Sequence, residues 1–415
     1  MSKCKLGDIL RIQHGYAFKS EKYVDSSEYR LITLGNFADG NSFKYNDEKA
    51  TYYGSDFPSE FILKEDDLIM PMTEQVEGLF GNTAFIPKTT NYTFVLNQRV
   101  GKVVYNKNKV DKYYLHYLLA TNSVKKQLEA RASGTRQRNI SPENIYDIEV
   151  DIPDIEIQEK IGRILYSLEE KQINNNKINA ELESIAKTIY DYWFLQFEFP
   201  NEEGKPYKSS GGKMVWNEEL KREIPERWEC KKLDEVFDFV KGKIPDKLFE
   251  KKDDELIEYL TIEAVNSGTI KYCSKESMVT TTGEVLMVMD GAASSDVYVG
   301  NIGVIGSTFC KLEIKNNYVD NNFLFLIMKK LEPIFKKVNT GSTVPHANKN
   351  YINNFKICLP KDDKLRFKLQ QSIVSCINKI VKNKQQNQEL ISLQDFLLPL
   401  LMNGQVGFRE VALAE

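Results

Sequence analysis

The chain has 415 residues, with 56 Lys and Arg against 59 Asp and Glu, a formal net charge of -3, and 41% hydrophobic and 28% charged residues. That length allows two or three domains of ordinary size, and the composition excludes a disordered chain. No uncharged apolar stretch reaches the ~18 residues a membrane-spanning helix needs, the start Met1-Ser2-Lys3-Cys4-Lys5 lacks a secretory signal's apolar centre, and the six cysteines are scattered with no Cys-x-x-Cys, so a reduced cytoplasmic protein without disulfides or structural zinc is expected.

In chain order, short strands are predicted at 31–34, 68–70, 100–104 and 148–152, and Asp111 is placed to cap a helix running to about Ala130. From Glu156 to Gln196, the residues Ile161, Ile164, Leu168, Lys171, Asn175, Ile178, Leu182, Ile185 and Ile189 fall alternately three and four apart. That seven-residue repeat suits a coiled-coil seam on a rod of roughly 60 Å. The segment 200–213, rich in Pro, Gly and Ser, reads as a surface linker. Strands at 286–289 and 355–359 follow, and Asp320 stands before a helix over 323–337 that Pro333 interrupts. A second long helical pattern spans Asp363 to Met402, with Ile373, Ile377, Ile380, Leu390, Leu393 and Leu397 apolar and Lys384 and Asn387 breaking the run. Asn175 and Asn387 admit two readings, a facing pair that fixes register or a solvated break in each seam.

The chain repeats itself. Lys5-Leu6-Gly7-Asp8-Ile9 returns as Lys232-Leu233-Asp234-Glu235-Val236, Gly81 to Ile86 as Gly300 to Ile305, Val110 to Leu115 as Val319 to Leu324, and Gly134 through Ile145 to Pro153 as Gly341 through Ile352 to Pro360. An ordered series of such blocks marks two copies of one mixed α and β fold, each followed by a rod. Charge clusters in both copies: ten Lys or Arg against two acids between Arg99 and Asn139, and eight against three between Lys311 and Lys356.

No catalytic constellation is found. There is no phosphate-cradling Gly-x-x-x-x-Gly-Lys loop, no Asn-Pro-Pro-aromatic methyltransferase loop and no clear nuclease core. His14, His116 and His346 lack the spaced partners of a metal set, and Asp66-Asp67 and Asp253-Asp254-Glu255 read as solvated loops. The loop Gly134-Thr135-Arg136-Gln137-Arg138-Asn139 is the leading nucleic-acid candidate. Arg can pair with guanine O6 and N7, Gln or Asn with adenine N6 and N7, and a glycine allows close backbone approach. Its counterpart, Gly341-Ser342-Thr343-Val344-Pro345-His346-Ala347-Asn348-Lys349, keeps the glycine and changes most of the rest. Ser342, Thr343, His346, Asn348 and Lys349 are the candidates there, with Gln75, Gln98, Arg99, Ser294 and Ser295 as further ones. Ile161, Leu168, Asn175, Ile178, Leu182, Ile185, Ile377, Asn387 and Leu393 are the candidate spacer and partner residues.

These segments resemble the specificity subunits of type I restriction-modification enzymes. The likeness runs over the whole chain, through Lys5 to Ile9, Gly134-Thr135 into Val150-Asp151-Ile152-Pro153, Ile157 to Ile161, Ile189 to Phe194, Ile224 to Trp228 and Leu397 to Gly404. The resemblance implies an α+β fold with two target-recognition domains, at 1–154 and 225–361. Two long antiparallel coiled-coil helices, at 155–199 and 362–403, separate them with pseudo-two-fold symmetry; a linker at 200–224 and a tail at 404–415 complete the chain. It also implies a non-catalytic subunit that reads a bipartite DNA target and docks modification subunits and restriction subunits. S-adenosylmethionine, ATP and Mg would belong to those partners, with no cofactor or metal on this chain. A self-contained methyltransferase or nuclease, and a scaffold presenting two protein-interaction modules, are the alternatives.

Overall fold

The computed structural model describes residues 1–37, 42–44, 49–75, 78–89, 91–266, 270–275, 279–281, 283–341 and 343–408. The chain divides into two compact units, residues 1–171 with 390–415 and residues 172–389.

In the first unit, Ser2–Lys5 pairs antiparallel with Glu149–Ile152, which ties the start of the globule to its end. A four-stranded antiparallel sheet has the order Leu10–His14, Val100–Tyr105, Leu68–Pro71, Ala84–Phe85. A second sheet is built from Tyr23–Val24, Tyr52–Tyr53, Tyr29–Leu31 and Thr93–Val95, the last two running parallel. The strand predicted at 31–34 therefore lies slightly earlier and ends at Leu31. Leu6, Leu68, Met70, Val103, Tyr114, Leu115 and Ile148 form the core. Asp111 caps the next helix by accepting the Tyr114 amide at 2.9 Å, but that helix stops at Ala120 and a second runs Asn122–Arg131. Thr121 makes the break. Its backbone is extended, and its hydroxyl donates to the Leu118 carbonyl (2.7 Å) and accepts the Val124 amide (3.5 Å), ending one helix and starting the next.

The second unit repeats the plan. Phe237–Lys241, Phe309–Ile314, Val285–Val288 and Val297–Val299 form an antiparallel sheet in the same order, and Trp228–Lys232 pairs with Lys356–Pro360. Even a cross-strand ion pair recurs in place, Lys102 with Asp67 at 2.7 Å and Lys311 with Glu284 at 3.1 Å. The strand Gly303–Ile305 runs parallel to Leu256–Leu260, as Thr93–Val95 does to Tyr29–Leu31. This corrects one block of the repeat. Gly81 to Ile86 supplies the edge strand Ala84–Phe85, whose counterpart is Val297–Val299, whereas Gly300 to Ile305 supplies the strand equivalent to Thr93–Val95. Nor does Pro333 interrupt its helix, which runs Asn321–Lys337. Proline in a helix interior costs about 3 kcal/mol; burial of Leu324, Met328, Leu331 and Phe335 along one face offsets it. The linker, too, is folded: the Tyr207 ring stacks on Phe199 at 4.7 Å, and a hairpin of Met214–Asn217 with Arg222–Pro225 follows.

The long helix Ile155–Tyr190 continues into a π-helical turn, Asp191–Leu195; the second runs Asp363–Met402. The buried stripe of the first keeps Ile161 and Asn175 from the predicted seam, with Leu168 and Leu182 partly covered, but replaces the intervening positions. Ile164, Ile178 and Ile185 are 38%, 43% and 48% exposed, while Leu165, Asn179 and Ala186, one residue further on, are buried. One residue turns a helix by roughly 100°, and apolar counting chose the wrong one of two adjacent rows. Leu393 is likewise exposed, whereas Ile373, Ile377 and Ile380 are buried. In the second unit the true row is polar at its middle. Asn175 donates to Asn387 Oδ1 (2.8 Å) and lies 3.0 Å from Gln386 Oε1; Asn383 donates to Asn179 Oδ1 (2.9 Å) and Asn387 to Asn176 Oδ1 (2.8 Å). The facing-pair reading of Asn175 and Asn387 holds. Beside it, burial lowers the pKa of the Lys384 ammonium, whose Nζ lies 3.5 Å from the Val299 carbonyl oxygen.

Candidate nucleic-acid interface

The first glycine loop is closed by the antiparallel bridge of Ser133 to Asn139. Gly134 has φ +111°, and a Cβ there would overlap the Gln137 carbonyl oxygen, so the turn requires glycine. Its far side is anchored. Arg138 and Asn139 pair with Glu74 and Thr73 as a two-residue ladder, and the Thr73 hydroxyl donates to Asn139 Oδ1 at 2.8 Å. Glu74, 1% exposed, takes the Arg138 guanidinium on Oε1, while its Oε2 accepts the amides of Leu79 and Phe80, each at 3.1 Å. A buried carboxylate with this many donors is a fixed post. Arg138 and Asn139 therefore brace the loop. Thr135 and Arg136 are exposed, with no side-chain partner among the described residues, and Gln137 Nε2 lies 3.4 Å from Asn139 Oδ1.

The second loop has the same frame. Thr340 bridges His346, Gly341 has φ +90°, and a Cβ on it would overlap the Val344 carbonyl oxygen. Gln137 and Val344 are thus equivalent positions. The anchors differ: His346 Nδ1 lies 2.7 Å from Asp290 Oδ1, with side chains 50% and 36% exposed. The Pro345 carbonyl accepts the Gly291 amide at 2.9 Å. Asn348 caps the following helix by accepting the Tyr351 amide at 3.1 Å, as Ser141 caps its counterpart through the Asn144 amide. Ser294 and Ser295 are corrected as contact candidates. Both are buried; the Ser294 hydroxyl lies 3.0 Å from the Met289 and 3.1 Å from the Pro345 carbonyl oxygen, and Ser295 donates to Asn339 Oδ1 at 2.8 Å. They hold the loop from behind. Ser342 lies outside the described residues. Thr343 and Lys349 are exposed, with Lys349 Nζ 5.4 Å from the Phe239 ring centre.

Each unit has a cleft lined by candidate residues. Gln75 meets the consecutive pair Gln98-Arg99 in one of about 370 Å³, with Tyr23, Thr33 and Asn97. Lys241, Asp290, Thr340, Asn348, Lys349 and Asn350 line the other, of about 340 Å³. Sequence reasoning missed Thr73, Glu74, Asp290 and Lys241. Only Lys241 had a signal, since it ends the strand corresponding to Leu10–His14. Among the described residues no cluster of His, Cys, Asp and Glu could hold a metal, and no helix is long and apolar enough to cross a membrane. The buried His116 is held by Thr83 Oγ1 (2.6 Å) and Glu169 Oε2 (3.2 Å).

The family described as type I restriction modification DNA specificity domain matches residues 1–184 and 225–392. Among curated relatives, the type I restriction enzyme MjaIX specificity subunit of Methanocaldococcus jannaschii is 26% identical over 78% of this chain and 74% of its own length. The MjaVIII specificity subunit of the same organism is 30% identical over a stretch covering 33% of each chain. The S subunit of a type I restriction-modification system from M. genitalium shares the fold with a TM-score of 0.56 at 17% identity, over 96% of this chain and 95% of that one.

Proposed function

The chain belongs to the type I restriction-modification DNA specificity family, and from that membership we propose that it is the non-catalytic sequence-reading and scaffold subunit of such a complex. Each unit reads one half of a bipartite duplex target. The pair of glycine loops carries this reading: one backbone frame occurs twice, with different side chains at corresponding positions. A duplicated catalytic site would keep its reactive side chains, whereas a duplicated reader of two words must change them.

On this reading Thr135, Arg136 and Gln137 face the first half-word, with Gln75, Gln98 and Arg99 beside them. Thr343, Lys349 and the His346 edge face the second, and the basic clusters of both halves neutralise phosphates. The recognition domains at 1–154 and 225–361 are held apart by an antiparallel coiled coil with pseudo-two-fold symmetry, which sets the gap between half-words. Modification subunits dock on that spacer, for which the exposed Ile178 and Ile185, one heptad apart, supply apolar surface. S-adenosylmethionine, ATP and Mg act on the partner subunits.

The test is duplex binding by the complex with its modification subunits, measured against salt. Log affinity should fall with log salt at a slope near -0.9 per neutralised phosphate. A flat response would refute the reading and favour a scaffold of protein-interaction modules. Inserting seven residues into either long helix should change the gap between methylated half-words and leave both words intact; changed words would contradict the spacer role.

A further inference from the structure

Gln137 and Val344 occupy the same place in the two loops, each contributing the carbonyl that packs over the positive-φ glycine. Their side chains could hardly differ more in what they recognise. Gln137 offers an amide that can satisfy adenine N6 and N7. Val344 offers methyl groups alone and is 47% exposed. Exposed valine at a flexible tip would mean little, but this tip is fixed on both sides. The Val344 carbonyl lies over Gly341, the Pro345 carbonyl takes the Gly291 amide, and His346 is bridged to both Thr340 and Asp290. Thr340, at the base of the loop, also lines a cleft that carries Lys241 and Lys349 together with Asp290 and Asn350. A branched apolar side chain exposed on a braced loop, in a unit whose nearby cleft carries two lysines able to meet phosphates, has one distinctive counterpart in the major groove, the thymine C5 methyl.

We propose that Val344 is a specificity-determining residue of the second half-word and reads a thymine through its methyl group. The inference rests on the recognition reading above and adds the base. It also separates the chemistry of the two loops at one backbone position, a carboxamide in the first unit and methyl groups alone in the second.

The experiment uses the complex with its modification subunits and a duplex carrying the target mapped from methylated adenines. Each thymine of the second half-word is replaced in turn by deoxyuridine, which keeps both pairing edges and removes only the methyl group. One replacement should weaken binding about four-fold, the value of one buried methyl, and that loss should vanish in Val344→Ala. The same replacements in the first half-word should leave the effect of Val344→Ala unchanged. A second half-word without a T·A pair, indifference to every replacement, or a loss that persists in Val344→Ala would each overturn the assignment. The recognition reading would survive those results. A complex that bound all duplexes alike would instead remove that reading, and this one with it.

Discussion

The loops at 133–139 and 340–346 share a closing bridge, a positive-φ glycine and the carbonyl that covers it, but are anchored by different physics. The first is fastened to Glu74, a carboxylate shut away from water that collects a guanidinium and two backbone amides. The second is fastened by His346 and Asp290, both in contact with solvent, and by main-chain and serine hydroxyl contacts from behind. A buried charge whose partner is removed costs several kcal/mol, whereas an exposed pair is worth ~1 kcal/mol or less. The same shape can thus be held by one irreplaceable post or by several dispensable ones, and the first unit should be the more brittle.

Substitutions can break that contrast. Glu74→Ala should have the largest effect, destabilising the first unit by about 3 kcal/mol, because it leaves Arg138 and the Leu79 and Phe80 amides without their acceptor. Thermal unfolding would show it, and a loss under 1 kcal/mol would cancel the asymmetry. Gly134→Ala and Gly341→Ala should come next. A left-handed turn closed by a carbonyl leaves no room for a methyl group, so each should lower affinity for its own half-word by about 2 kcal/mol in duplex titrations and spare the other. Equal losses at both half-words would mean that the loops are not separate readers. Arg136→Ala should weaken the first half-word by about 1 to 2 kcal/mol without lowering the melting temperature, since its guanidinium is not part of the frame. Arg138→Ala should lower stability as well, which separates reader from brace. Asp290→Asn should cost the least, about 0.5 kcal/mol or less of stability, because water screens the pair.

What could be read in the sequence follows from where each signal resides. The glycine loops were legible because a positive-φ turn closed by its own carbonyl admits little besides glycine, in both copies. Strands at 68–70, 100–104 and 286–289 were legible because short runs of buried aliphatic residues have few other homes. The rotated helix row was not, because Gln172 and Asn179 occupy positions that a hydrophobic pattern skips, while Ile164, Ile178 and Ile185 imitate it on the outside. The break at Thr121 carries no Gly or Pro, and its cause is one hydroxyl serving two helix ends. Gly81-Asn82 and Gly300-Asn301 look alike yet precede different strands, a coincidence that only hydrogen-bond topology resolves. Glu74 was invisible because its partner stands 64 residues away and nothing local marks the pair. Burial of Ser294 and Ser295 is likewise a property of neighbours rather than of their own neighbourhood in the chain.

The amide pairs between the long helices in the second unit have a consequence for error. Asn175 meets Asn387 and Asn179 meets Asn383. Sliding one helix by seven residues would face Asn175 with Ile380, stranding its carboxamide against a hydrocarbon side chain at a cost of about 1 to 3 kcal/mol. A row of isoleucines would forgive such a misalignment, since any apolar neighbour serves as well as another. Asparagine makes the slipped state detectably wrong, and the pair is thereby proofread against its own near-repeats.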